Sequence, residues 1–146
     1  MQFAVDEVKI MMQAGKYYVG DLCYVMDDDE WDQVCECIIQ GKKVVDGEFE
    51  LDDGRKFAIY STAWGDGVYN DYYGNSYSVD AGSIGCVKVE DIRDVKNKMD
   101  IELLGAIVEF ETDFVTGGGR DTKGWNGIIQ FGRIAIETDP VYEDEE

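Results

Sequence analysis

Histidine is absent from the chain's 146 residues. Its absence excludes Ser-His-Asp and Cys-His catalysis, histidine metal ligands and an imidazole pH switch. Cysteine is scarce, and the four thiols form no C-x-x-C pair, the spacing typical of many zinc sites. The sequence also lacks a signal-peptide pattern. We therefore expect no disulfide framework, no metal site, no cofactor and a reducing cytosolic environment.

Basic residues are few as well: 13 lysines and arginines stand against 32 acidic residues, for a net charge of -19. A field of this sign repels nucleic acid and anionic membrane surfaces. No apolar run approaches the roughly 20 residues that a membrane-spanning helix needs. The same charge favours a basic protein surface or a metal cation as partner, or serves solubility alone.

The length and the 45% hydrophobic composition predict one folded domain with a core of its own. We place this domain at residues 1–138, because five acidic residues crowd the last eight positions. Residues 139–146 are predicted to form an acidic, solvated C-terminal tail.

One helix is predicted at about residues 28–40. Apolar residues recur there at helical spacing, and acidic residues at its start suit the positive end of the helix dipole. This spacing places Cys35 in the core and Cys37 on the outer face. The apolar stripe consists of Trp31, Val34, Cys35, Ile38 and Ile39.

Strands account for most of the remaining pattern. Period-two alternation on both sides of Asp53-Gly54 predicts a β-hairpin. Other strands are predicted at residues 3–12, 16–19, 23–26 and 84–89, with two long closing strands at 101–114 and 128–137. The predicted fold class is α+β, mostly antiparallel β, as a curled sheet or small sandwich with one amphipathic helix.

Residues 64–85 combine glycine, aspartate and tyrosine, and they hold the candidate binding residues. Two interpretations stay open: the glycines form turns beneath a cross-strand ladder of aromatic rings, or the rings form a recognition surface. An EF-hand calcium site is disfavoured, because the acids miss its spacing. With one basic residue from the later glycine-rich loop, the candidates are Trp64, Asp66, Tyr69, Asp71, Tyr73, Tyr77, Asp80 and Arg120.

Two further segments suggest chemistry and also have structural interpretations. Cys23 follows a predicted turn, but Asp21 opposes thiolate formation and the chain has no histidine base, which favours a structural thiol. The glycines at 117–119 stand beside Arg120 and Lys123. They lack the Gly-Lys-Ser/Thr ending of a phosphate-binding loop, which favours a flexible hairpin tip.

Two sequence blocks carry a resemblance. Residues 16–25, KYYVGDLCYV, are similar to the GDPCYV opening of small uncharacterised proteins from tailed bacteriophages and some bacteria. Residues 62–69 and 77–85 resemble the TAxGDGxY and YxVDAGxIG blocks of that family, with Leu22 in place of the usual proline. The resemblance spans about residues 16–92 and implies a phage-like accessory protein of the host cytoplasm, with no activity attached.

We therefore expect a non-catalytic protein that binds and modulates or inhibits a host protein, such as a defence factor, through an acidic and aromatic surface. One alternative is a small-ligand or nucleotide-binding module that uses Trp64, the tyrosine-rich segment and Arg120 or Lys123. A second is a carboxylate- or metal-dependent enzyme using Asp66 and Asp80.

Overall fold

The computed structural model describes residues 12–41, 43–63, 65–93, 101–118 and 127–138. Short 3-10 turns lie at Leu22–Tyr24, Val89–Asp91 and Ile101–Leu103. The helix and the strands, in chain order, are β1 (Gly15–Gly20), α1 (Asp28–Ile38), β2 (Ile39–Gln40), β3 (Lys43–Val44), β4 (Gly47–Glu50), β5 (Lys56–Ser61), β6 (Gly67–Asp71), β7 (Ser76–Val79), β8 (Ser83–Lys88), β9 (Ala106–Phe110), β10 (Thr116–Gly117), β11 (Ile128–Phe131) and β12 (Ile134–Glu137).

The strands form two five-stranded antiparallel sheets and a small β2-β3 ribbon. The first sheet has the order β4-β5-β8-β1-β9, and the second has the order β10-β11-β12-β6-β7. The predicted fold class is confirmed: the protein is α+β, mostly antiparallel, with one helix among the described residues.

The main core lies between the two sheets, which makes the β-structure a sandwich. Side chains alternate along each strand, so Tyr17 and Val19 of β1 enter this core while Tyr18 between them faces the other side. The second sheet contributes Tyr69, Tyr77 and apolar residues of β11 and β12 to the same cluster. The first sheet is therefore buried on both faces.

Helix α1 covers the outer face of the first sheet. Asp27 and Glu30 form a reciprocal capping box that satisfies the first free amides of the helix. Val34 is fully buried in a second cluster with Tyr18, Leu22 and Phe57. The placement of the thiols was predicted wrongly: Cys37 packs against this cluster, because the helix turns Trp31, Val34 and Ile38 inward instead of the face that carries Cys35.

Three strand predictions were wrong. Residues 22–24 form a 3-10 turn, because the Asp21 side chain accepts a hydrogen bond from the Cys23 amide and caps it. The predicted strand 101–114 is shortened to β9, and a Cβ on Gly105 would collide with the carbonyl oxygen of Val19. The strand 128–137 is a hairpin that turns at Gly132, whose φ is 56°.

Other predictions lie outside the described residues. Of the opening strand only Met12 is described, and it pairs with Phe114 through a single β-bridge. The glycine-rich loop beyond Gly118 and the acidic tail at 139–146 are not among the described ranges.

Candidate functional site

The turn between β6 and β7, residues 72–75, is held from beneath by one buried carboxylate. Asp71 accepts hydrogen bonds from the amides of Tyr73 (2.8 Å) and Asn75 (3.0 Å), from Asn75 Nδ2 (2.9 Å) and from the Tyr77 hydroxyl (2.6 Å). Burial alone would raise the pKa of the Asp71 carboxyl, but these donors outweigh it and bring the pKa below its usual value. We call residues 72–75 the tyrosine turn.

The tyrosine turn presents two neighbouring rings to solvent. Tyr72 is 67% exposed and Tyr73 is 62% exposed, although both follow a buried aspartate. On the outer face of the same hairpin, Val68 is 65% exposed. Because hydrogen bonds already fix the backbone beneath these rings, the turn loses less conformational entropy when a partner binds. Exposed rings on such a fixed turn are suited to be aromatic anchors of a protein interface.

A groove of about 660 Å³ lies between residues 109–115 and the β11–β12 turn. Its aromatic floor is the stacked pair Phe110 and Phe114, whose ring centroids are 3.9 Å apart. The guanidinium of Arg133 lies 5.2 Å from the Phe110 centroid and donates to the Glu109 carbonyl at 3.0 Å. We call this depression the Phe110 groove; the carboxylates along it are those of Glu109, Glu111 and Asp113.

The strand register brings the groove and the tyrosine turn to the same end of the second sheet. Ile136 of β12 pairs with Asp71 of β6. Residues 132–133 therefore turn at the end of the sheet where residues 72–75 turn. Tyrosine rings and groove carboxylates thus belong to one end of the sandwich.

The structure separates the predicted binding residues by depth. Tyr69 and Tyr77 form a cross-strand pair inside the main core, where Tyr77 is fully buried and the Tyr69 hydroxyl donates to the Gly65 carbonyl at 2.9 Å. Burial raises the pKa of Tyr77, with the Asp71 carboxylate adding to the shift. These rings support the hairpin, and Tyr73 is the predicted tyrosine that faces solvent.

The remaining candidates lie elsewhere. Asp66 precedes β6 and Asp80 follows β7, so both exposed residues stand at the open end of the hairpin, about 17–20 Å from the tyrosine turn at about 3.3 Å per residue. Trp64 and Arg120 lie outside the described residues. Tyr72 and the Phe110 groove were not predicted from the sequence; the groove joins segments that only the tertiary fold brings together.

The open end of the hairpin is joined to β1 by Asp21. This carboxylate is fully buried and accepts the amides of Asp80 (2.6 Å) and Ala81 (2.7 Å) at Oδ2 and that of Cys23 (3.0 Å) at Oδ1. Asp21 belongs to the GDLCY block, and Asp80 and Ala81 belong to the VDAG block. The GDLCY and VDAG blocks are therefore bonded to each other and act as a structural junction.

Three of the four thiols have environments that favour the neutral form. Burial raises the pKa of Cys35, Cys37 and Cys86, with nearby carboxylates adding to each shift. Within the described ranges, no three Cys, Asp or Glu side chains are grouped so that they could hold a metal ion. The described helices include none long and apolar enough to cross a membrane.

In comparisons with protein-family models, curated protein sequences and solved structures, the chain matches none of them.

Proposed function

We propose that this chain is a non-catalytic binding protein that docks on a basic surface of a host protein and modulates or inhibits that protein. The contact is made by the end of the sandwich that carries the tyrosine turn and the Phe110 groove. The observation that supports it most directly is the pair of exposed rings, Tyr72 and Tyr73, on a turn that the buried Asp71 holds in place.

The tyrosine turn supplies the apolar part of the contact. Tyrosine is enriched among the residues that dominate binding energy, because its ring buries a large area at little conformational cost. Four hydrogen bonds to Asp71 fix the turn before binding. Removing one such ring from an interface centre typically costs about 2 kcal/mol or more of binding free energy.

The Phe110 groove supplies the charged part. Its rim carries Glu109, Glu111 and Asp113, all exposed, on a chain of net charge -19. Arg133 already lies over the Phe110 ring, so the groove accommodates a guanidinium beside aromatic carbon. Carboxylates at such a rim steer a basic partner and raise the association rate at low salt.

The host setting of the proposal comes from the sequence resemblance. The GDLCY and VDAG blocks resemble those of small uncharacterised tailed-phage proteins, and this resemblance implies a protein of the host cytoplasm. Bacterial cytoplasm is thus the compartment in which we propose that the partner is found.

The test captures partners from bacterial host lysate on immobilised protein and compares wild type with the double variant Tyr72→Ser/Tyr73→Ser. We expect the variant to lose the captured protein. Leu103→Ser is the matched control, because Leu103 is 69% exposed and lies in the 3-10 turn before β9. The control variant should capture the same protein as wild type.

Purified partner then separates the two parts of the surface by binding kinetics. For wild type, the association rate should fall steeply as salt rises, and Glu109→Gln/Glu111→Gln should lower that rate and flatten its salt dependence. Binding that survives the loss of both tyrosines, or an association rate indifferent to salt, would contradict the proposal.

A further inference from the structure

Two lysines lie side by side on the first sheet. Phe57 of β5 pairs with Val87 of β8, so the next pair in that register sets Lys56 opposite Lys88. Directly opposite side chains point to the same face of a sheet. Lys88 is also paired with Tyr17 of β1, which belongs to the main core. The two lysines therefore lie on the face of the first sheet that is turned toward the second sheet, at the edge of the main core.

This arrangement is unfavourable by itself, because like charges on directly opposite strand positions repel. It occurs in a chain where carboxylates outnumber cations by 32 to 13. Lys56 makes no ion pair with any residue in the described ranges, although Glu50 of β4 stands opposite it in the register and Glu48 lies close enough to interact with it electrostatically. The Lys88 ammonium donates to the amide oxygen of Gln13 at 3.1 Å, and its carboxylate neighbour, Glu90, is 3.9 Å away.

The lysines border a cavity of about 310 Å³ that also has apolar walls. Met12 and Tyr17 line it from the core side, and the turn between β4 and β5 closes another side. This volume lies at the lower end of the range for small-molecule sites. A ligand here would place its charge at the lysines and its uncharged part against Met12 and Tyr17.

Three carboxyl groups also line the cavity, and two of them oppose an anion less than their formal charge implies. The Asp53 carboxylate is held by Arg55 at 2.9 Å, which offsets its charge. The Glu90 side chain is 76% exposed and is screened by solvent. The third is Asp91, whose backbone carbonyl accepts a hydrogen bond from the Arg55 guanidinium at 3.0 Å.

We propose that this cavity is a binding site for a small phosphate-type dianion, held by the ammonium groups of Lys56 and Lys88. A dianion matches two adjacent cations, and a phosphate offers enough oxygens for both ammonium groups to donate at once. The source is either inorganic phosphate or the phosphate of a small organic ester. The site is distinct from the predicted nucleotide site at Trp64 and Arg120.

The test measures binding of inorganic phosphate, phenyl phosphate and acetate by calorimetry and by thermal unfolding at constant ionic strength. The chains compared are wild type, Lys56→Gln, Lys88→Gln and the control Lys16→Gln. Lys16 precedes Tyr17 in β1 and therefore faces the other side of the sheet, yet its loss changes the net charge equally. Acetate tests whether one negative charge suffices.

We expect saturable binding of phosphate and a saturable rise in Tm for wild type and Lys16→Gln. Loss of either cavity lysine should weaken binding about tenfold or more, the usual effect of one charge-assisted hydrogen bond. Tighter binding of phenyl phosphate than of phosphate assigns the site to an ester, and the reverse assigns it to the free ion.

Folding of both cavity variants is checked without ligand, where a single cooperative unfolding transition shows that each variant is folded. A rise in Tm shared by all four chains, or the absence of saturation, would show only a general salt effect and overturn the proposal. Equal responses to acetate and phosphate would overturn it as well.

Discussion

Replacing Asp21 by asparagine tests the junction between β1 and the hairpin β6–β7. The carboxylate accepts three backbone amides, from Cys23, Asp80 and Ala81, and its residue is fully buried. Asparagine has the same shape but one acceptor oxygen, and its NH₂ group only donates. Whichever way the amide is oriented, at least one backbone N–H then faces another donor.

The magnitude follows from the better of the two orientations. With the amide oxygen at the Oδ2 position, Asp80 and Ala81 keep a partner and the Cys23 amide loses one. A hydrogen bond to a charged group contributes about 1.5–3 kcal/mol, and an orphaned buried donor costs about 1–3 kcal/mol. Because the two surviving bonds also lose their ionic character, we expect a loss of about 3 kcal/mol in the free energy of unfolding.

Urea unfolding, followed by intrinsic fluorescence, measures this change as a lower midpoint at unchanged slope. Asp80→Asn is the matched control: the Asp80 amide bonds to Asp21, while the side chain is exposed. The control should lie within about 0.5 kcal/mol of wild type. If Asp21→Asn also changes stability by less than about 1 kcal/mol, the carboxylate does not hold the two blocks together and our reasoning fails.

Two further predictions concern other buried carboxylates. Because the pKa of Asp71 is lowered in the folded state, its contribution to stability is present above the unfolded pKa and is lost as pH falls through the folded value. The stability gap between wild type and Asp71→Asn, from urea unfolding across pH, should be largest near neutral pH and shrink below about pH 4; a constant gap contradicts this. Arg55 donates to the buried Glu30 at 2.5 Å, so Arg55→Met should cost about 3–5 kcal/mol by leaving a buried charge unpaired. In the same assay Arg55→Met/Glu30→Gln should recover much of that loss, and a double variant no better than the single one refutes the ion-pair explanation.

The parts of the fold that sequence predicts well depend on local chemistry. Helix α1 begins at a capping box that lies within four consecutive residues, and the Asp53-Gly54 turn lies between its own two strands. The capping box and the turn each depend on a few consecutive residues, so the sequence alone is enough to predict them. Where a turn lacks such a signal, as at the 3-10 turn Ile101–Leu103 before β9, the sequence window shows continuous strand character and the prediction fails.

The candidate site, too, can be predicted from the sequence only in part. The tyrosine-rich composition of residues 64–85 leaves open whether the rings form a cross-strand ladder or a recognition surface, because it does not show that Tyr73 lies exposed in the turn and Tyr77 lies buried in β7. The Phe110 groove joins residues 109–115 to Arg133, and the lysine cavity depends on the pairing of β5 with β8. Neither arrangement produces a pattern within a short stretch of sequence, so both sites can be recognised only in the folded structure.

The GDLCY and VDAG blocks have a structural role. Residues of these two blocks hold the chain together: Asp21 bonds to the VDAG block, and a Cβ on Gly85 would collide with the Ala58 carbonyl oxygen and with Leu22. Tyr72, Tyr73 and the Phe110 groove lie outside the quoted motifs, as do Lys56 and Lys88. A shared motif of this kind specifies a scaffold, and the surfaces between its blocks are free to differ in what they bind. Two proteins with the same blocks are thus expected to share the Asp21 junction and to differ in partner according to their residues at the tyrosine turn.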